Sequence, residues 1–578
     1  MIKSGSIIRS SMVWVIYKYV LSKDSHYGFR YDFERHRFGR ALPPPPQQHW
    51  WYHLGSLVAI VPRFMSSGGT IQWTKGTVVI FVTIAARSIG GSGALPRRGD
   101  EENSQNKQLK GENNDQNDVS IDKNDTAEKT ETSASSVKPA NGSEDGLVST
   151  EDNAEEKKDL KADDCGTFLL CGGANWDLTG RKAPPKGSKG FIGRKLWSPH
   201  RYSSLKGVRV RLVSSGCTSV HSIIVTEEGK AMSFGRNEKG QLGHGDTKRR
   251  DVPTLIEALE DHNVVGAACG RNHTLILTDK GTVYGFGDNK MGQCGVGNQQ
   301  PMITTPTRLS YDGPPVVKVS CGGEFSIILD CKGGLHSFGS PEYGQLGHNT
   351  DGKYFVTSTK MGFHSEHSPK RIVFFVEKSK DGHINPVEVV EMVDFSCGAN
   401  HAVALDSKKR VFSWGFGGYG RLGHAEQKDE LVPRLIKFFD TQSRGVKSVY
   451  CGNAFSLAIN DFGAVYLFGQ AKRTGEANMY PKPIQDLAGW SVRSVGCSFT
   501  SIVMAADESV IAWGPSPTYG ELGFGELPKS STTPMEVKPL EGIYIMQVAC
   551  GMGHTMFIAR DHTEQERKLL QQLPEYTP

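Results

Sequence analysis

A short phrase, Cys-Gly-x-x-His followed by an apolar run, recurs along the last two thirds of the chain, and a long-period repeat constrains a fold more than any local propensity does. It reads CGRNHTLILT from Cys269, CGGEFSIILD from Cys321, CGANHAVALD from Cys397, CGNAFSLAIN from Cys451 and CGMGHTMFIA from Cys550, with degenerate copies at Cys217 and Cys497. The fifth residues, His221, His273, Phe325, His401, Phe455 and His554, together with Thr500, fourth in the degenerate copy at Cys497, stand 52, 52, 76, 54, 45 and 54 residues apart in chain order. An aromatic-Gly phrase ends 14 residues further on in six copies, at Gly235, Gly287, Gly339, Gly415, Gly469 and Gly514. Gly-x-Leu-Gly or a variant follows at Gly240, Gly292, Gly344, Gly420 and Gly520.

Within each unit, runs of four to six apolar-rich residues flank a tight turn, as in Thr274–Thr278, a Lys-Gly turn, then Thr282–Phe286. That pattern predicts short antiparallel strands. A unit of about 50 residues built this way cannot close a core alone, and radial repetition into a β-propeller solves both burial and edge protection. Seven copies predict seven blades. The last Cys-Gly phrase, at Cys550, has no aromatic-Gly strand after it, whereas Phe168–Gly172 has no Cys-Gly phrase before it. Joined, these halves make the closing blade and leave the sheet without a free end. The propeller is therefore placed at 165–560, with 561–578 as a short exposed tail.

The remaining segments differ in composition. Residues 101–164 contain no aromatic residue and are rich in Glu, Asp, Asn, Ser and Lys, which predicts a disordered acidic linker. Residues 1–100, with four consecutive prolines at Pro43–Pro46, keep no period for long and are read as a poorly ordered extension without an assigned function. The longest apolar run, Thr77–Ala86, is too short for a membrane-spanning helix. The 11 cysteines form no C-x-x-C pair, so no metal, cofactor or thioredoxin-type site is expected.

The repeated histidines invite a catalytic or metal-binding reading. Phe325 and Phe455 occupy the same position in two copies, which favours a packed, hydrogen-bonded scaffold role. Residues 415–420, GFGGYG, match the dinucleotide fingerprint, but GRNEKG and GDNKMG stand in the same register and no helix follows. The phrase is read as a turn of the repeat. No nucleophile-base pair or phosphate loop has supporting context, so no catalytic residue is assigned and no bond-making chemistry is expected.

Partner-binding candidates are sought where blades depart from the repeat. The long interval before His401 contains Arg371–Val390, read as a projecting β-hairpin with Arg371, Phe374, Phe375, Glu377, Lys378, Lys380 and Asp381 as contact residues. A packed edge hairpin is the alternative. The long loop from Gly180 to Arg201 carries Arg181, Lys182, Arg194 and Lys195; it suits phosphates or an acidic protein surface, or is a solvated connection. The charged turns with Arg236, Lys239 and Arg249 suit a polar interface or are ordinary exposed turns.

The repeat CGxxHTxxLTxxGxVxxFGxNxxGQLG resembles that of the regulator of chromosome condensation family, over roughly residues 165–560. Phrases such as GRNEKGQLGHGDTKR from Gly235, SWGFGGYGRLGHAEQKDE from Ser413 and the terminal LPEYTP are similar to the family's telophase-disc branch. The resemblance implies a monomeric seven-bladed propeller that regulates small GTPases of the Rac, Ral or Arf type, by guanine-nucleotide exchange or by blocking it. It also implies roles in mitosis, at centromeres and chromosomes, with microtubules, and localisation to nucleus, nucleolus, spindle midzone and cytoskeleton. The founding member exchanges nucleotide on Ran, and this chain cannot be matched to its catalytic residues one by one. The alternative function is a scaffold docking chromatin, microtubules or passenger proteins.

Overall fold

The computed structural model describes residues 164–181, 194–388, 390–472, 476–514 and 518–578. The N-terminal extension, the acidic linker up to residue 163, and Lys182 lie outside the described residues. Seven four-stranded antiparallel blades form the ring. Blade 1, for example, runs through Val210–Ser214, His221–Thr226, Ala231–Gly235 and Arg250–Leu255 in that order from the axis outward.

The second strand of a complete repeat is buried at every position, as in His273–Thr278 and Phe325–Asp330. Alternate residues point to opposite faces, and here both faces are covered by neighbouring blades. Leu275 and Leu277 pack with Ile328 and Phe338 of blade 3, while Ile276 packs with Ile223 and Val225 of blade 1. Seven such hydrophobic clusters occur, one at each blade-blade interface. These strands therefore read as continuous apolar runs.

The constant offset of 14 residues is a register. His273 lies opposite Gly287, Phe325 opposite Gly339 and His401 opposite Gly415 across the hairpin between strands two and three. Gly287 has φ +114°, and a Cβ there would sit 2.3 Å from the Asn272 carbonyl oxygen. Only glycine fits so close an approach.

The closing blade forms as the half-repeats predict. Thr167–Gly173 pairs with His554–Ala559 on one side and Lys195–Tyr202 on the other, and His554 lies opposite Gly172. The C-terminal segment departs from the expected exposed tail. A helix, α1 (Glu564–Gln572), opens with a capping box at Thr563 and Glu566. Glu575–Tyr576 then adds a parallel strand outside Lys195–Tyr202. Leu570, Leu573 and Tyr576 are buried, and the Tyr576 ring meets Tyr202 edge-on at 5.4 Å. Those apolar positions are too few and too short in span to be distinguished from a tail by period alone.

Candidate partner-binding surfaces

In an antiparallel blade the connections 1–2 and 3–4 lie on one face of the ring, and 2–3 and 4–1 on the other. The basic residues selected from sequence fall mainly on the first face, where blades 7 and 1 meet. Arg236 lies across the segment after Gly173 and donates to the Trp176 carbonyl (Nη2, 2.9 Å) and the Thr179 carbonyl (Nη2, 2.7 Å). Burial, and then the nearby Arg181 charge, hold its pKa below the usual value. Arg181 pairs with Glu238, and Arg249 pairs with Asp177 and, at 3.3 Å, with Asp251. Arg181, Arg236 and Arg249 are thus largely committed to holding the loop down. Lys239 is half-buried, its amide donating to Gln241 Oε1 at 2.8 Å.

Arg194 and Lys195, both exposed, form a separate group. Lys195 Nζ lies 5.8 Å from the Trp197 ring centroid and 5.9 Å from that of Tyr519, and Lys529 Nζ approaches Trp197 at 4.7 Å. These cation–π contacts hold two ammonium groups around one indole.

The hairpin is present with different bounds. Its strands are Val376–Lys378 and Ile384–Pro386, closed by a turn in which Gly382 takes φ +85°. Arg371 instead ends the fourth strand of blade 3, Glu366–Arg371, because its backbone register places it opposite His336. The hairpin root is docked: Val376 bridges Arg434 of blade 4, and the Phe375 ring meets Phe412 edge-on at 5.5 Å. Lys378 pairs with Glu426 at 3.4 Å. Glu426 also binds Arg434, and these cations, Arg434 first, hold its pKa down at about 2. Phe374 is 60% exposed, and Lys380 and Asp381 are exposed at the tip. Phe374 stands at the root, beside the docked Phe375, and the exposed apolar residue near the tip is Ile384. Root and tip thus realise both alternatives: a packed edge that extends blade 4, and a projecting end with exposed polar and apolar groups.

A second hairpin, Lys353–Thr357 with Lys360–Phe363, was not anticipated. It precedes Glu366–Arg371 while the first follows it, so the two leave opposite ends of one strand. Tyr354, Phe355, Val356 and Met361 are exposed, Phe355 by 75%. A signal for it exists. Fourth strands carry a proline 10 or 11 residues after the last Gly of Gly-x-Leu-Gly (Pro253, Pro306, Pro433, Pro534), but Pro369 follows Gly347 by 22. The excess length of this blade is thereby split into two insertions.

The repeated histidines are structural staples. His221 Nε2 meets Thr274 Oγ1 (2.8 Å), His273 Nε2 meets Ser326 Oγ (2.9 Å), His401 Nε2 meets Ser456 Oγ (3.0 Å) and His554 Nε2 meets Ser222 Oγ (2.7 Å), each across a blade interface. Burial pushes His221 and His273 down to about 3 and His554 to about 4. The repeat cysteines line a central cavity of about 190 Å³, and burial raises Cys217, Cys269 and Cys550 to about 12. Neutral imidazoles and protonated thiols suit packing. Among the described residues, no group of three or more His, Cys, Asp or Glu side chains is arranged to hold a metal ion, and no helix is long and apolar enough to cross a membrane.

Residues 168–557 match the family model described as the RCC1-like domain. The chain is 54% identical to protein RCC2 of Mus musculus over 436 residues, covering 75% of this chain and 84% of that protein. Human protein RCC2 is 53% identical over the same shares. Among solved structures, Prp20p from Saccharomyces cerevisiae, described with its binding to Gsp1p and histones, superposes with a TM-score of 0.54 at 18% identity, over 70% of this chain and 93% of that one. That likeness shows the fold.

Proposed function

The chain belongs to the RCC1-like domain family, and from that premise we propose that it regulates small GTPases of the Rac, Ral or Arf type, as an exchange factor or as a blocker of exchange. The reading extends to roles in mitosis, at centromeres and in cytoskeletal organisation, and to nuclear, chromosomal and spindle-midzone localisation. The observation that carries it is the pair of hairpin insertions that flank the fourth strand of blade 3, Glu366–Arg371. A root-anchored hairpin supplies a projection with Lys380 and Asp381 exposed at its tip and Phe374 exposed at its base. Exchange needs no bond-making residue: a regulator that binds the nucleotide-free state more tightly than the loaded one shifts that equilibrium by the difference in affinity.

A second reading, a scaffold on chromatin or microtubules, is favoured by the exposed Arg194 and by Lys195 and Lys529 around Trp197, where cations face solvent. Prp20p, on this fold, is described with its binding to Gsp1p and to histones. The discriminating experiment is release of a fluorescent nucleotide from purified Rac, Ral, Arf and Ran by the full chain. Acceleration on one of the first three, reduced by Lys380→Glu, supports regulation through the hairpin. No acceleration and no protection on any of them, together with salt-sensitive DNA or microtubule binding lost in Lys195→Glu, supports the scaffold instead.

A further inference from the structure

At the residue after the first Gly of Gly-x-Leu-Gly, three blades carry glutamine. Gln241, Gln293 and Gln345 each accept the amide of the residue two before them through Oε1. In blade 6, Glu521 does the same with Tyr519. Blade 4 has Arg421, which cannot accept. Its Nε instead donates to the Gly418 carbonyl (2.9 Å) and its Nη1 to the Asn453 carbonyl (2.9 Å), while Tyr419 takes the local turn with φ 63°. A left-handed tyrosine is strained.

Arg421 is 4% exposed. Its hydrogen bonds run to two carbonyls, and among the described residues none runs to a carboxylate. The rings of Phe416 and Tyr419 lie against it at 4.6 and 5.7 Å. Asp429 is within electrostatic reach but accepts the Gly417 amide at 2.8 Å and forms no ion pair with Arg421. A buried guanidinium without a directly paired carboxylate is costly, and desolvation lowers its pKa to about 10. Asn453 lies two residues after Cys451, whose residue lines the central cavity, so the charge sits at the lip of the channel on the face of the 1–2 and 3–4 loops. The Cys217 and Cys451 thiols within electrostatic reach are held protonated by burial and do not neutralise it. Arg271, also in reach of Cys217, is already paired with Glu324 at 2.8 Å.

We propose that Arg421 is an anchor for a side-chain carboxylate presented by an acidic loop of a protein partner, entering the channel mouth from this face. Nε and Nη1 are engaged, leaving Nη2 without a hydrogen bond to a described residue, so the site offers one cationic edge and matches a monoanion better than a phosphoryl dianion. The flanking Phe416 and Tyr419 rings suit the methylene stem of Asp or Glu. This site is independent of the hairpin and of the GTPase reading.

The test measures binding of a hexaglutamate peptide to the full chain by fluorescence anisotropy at constant ionic strength, with inorganic phosphate as a parallel titration and thermal melting of each variant. Arg421→Gln installs the residue three blades use and is expected to weaken peptide binding at least ten-fold, while melting at or above the wild type without ligand. Arg444→Gln, on the opposite face, should bind within two-fold of wild type. Unchanged peptide binding in Arg421→Gln overturns the proposal, as does an unliganded variant that melts lower, which would make the role structural. Saturable phosphate binding without peptide binding overturns the carboxylate assignment.

Discussion

Replacing His273 tests how the ring is stapled. Ser326 Oγ donates to the Gln293 carbonyl at 2.9 Å, so its proton is engaged and His273 Nε2, 2.9 Å away, must be the donor of the bond between them. Burial holds its pKa at about 3, so the imidazole is neutral with its one proton on Nε2. His273→Ala removes a fully buried ring and one hydrogen bond across the interface between blades 2 and 3. From the usual cavity and hydrogen-bond costs it should lose about 3–4 kcal/mol. His273→Phe fills the space, and Ser326 keeps its bond to Gln293, so its cost should be about 1 kcal/mol. The protein already contains the matching pair, with Phe325 in the histidine position and Ala402 in the place of the next hydroxyl. His273→Phe with Ser326→Ala should then show favourable coupling of about 1–2 kcal/mol against the single variants. The fold also holds the His273 pKa at about 3, below an unfolded value of about 6.5. A depressed pKa gives stability that is present above the unfolded value and is lost as pH falls toward the folded one. Between pH 7.5 and 5.5 this residue should account for about 1.4 kcal/mol. Urea unfolding at both pH values reads all four quantities. If His273→Phe is as costly as His273→Ala, or remains as acid-sensitive as wild type, the staple reasoning is wrong.

The same linkage acts on His221 and His424, held at about 3, and on His244 and His554, at about 4, all through burial. Wild-type melting temperature should therefore fall steeply from pH 7.5 to 5, and a flat profile would contradict their burial. Truncation after Asp561 removes the buried Leu570, Leu573 and Tyr576; it should cost about 4 kcal/mol or more and expose the closing blade to proteolysis, measured by unfolding and limited digestion. Gly287→Ala forces a Cβ to 2.3 Å from a carbonyl oxygen and should prevent soluble expression or lower stability by about 3 kcal/mol or more. Of the 11 cysteines, Cys331 alone is exposed; one thiol should react rapidly with a disulfide reagent in the native protein, and Cys331→Ser should abolish that phase.

The blade number, the closure from two half-blades and the constant 14-residue offset were legible because a repeat samples the same physical constraint many times. His273 and Phe325 in one position already argued for packing over chemistry. The inter-blade hydroxyl partners were less visible, since Thr274 and Ser326 follow the histidine position without a change in the pattern. The departures from the repeat were read only in part. Total excess length located blade 3, but placing all of it in Arg371–Val390 missed Lys353–Phe363, because a two-stranded insertion has no period to match. The spacing of Pro369 held that information. The C-terminal latch was missed for a related reason: Leu570, Leu573 and Tyr576 acquire a surface to bury against only once blade 7 has closed. The partition of the basic residues into loop-holding Arg181, Arg236 and Arg249 and outward Arg194 and Lys195 depends on which carboxylates fold beside them. Charge along the chain does not contain it.

The most direct test of the regulatory reading is the affinity of the full chain for one small GTPase of the Rac, Ral or Arf type in its nucleotide-free and loaded states, compared between wild type and Lys380→Glu by surface binding kinetics. The account predicts a preference of at least ten-fold for one state, nucleotide-free for an exchanger and loaded for a blocker, and weaker binding when the hairpin tip is reversed. Equal affinity for both states, or binding indifferent to the hairpin, would contradict it.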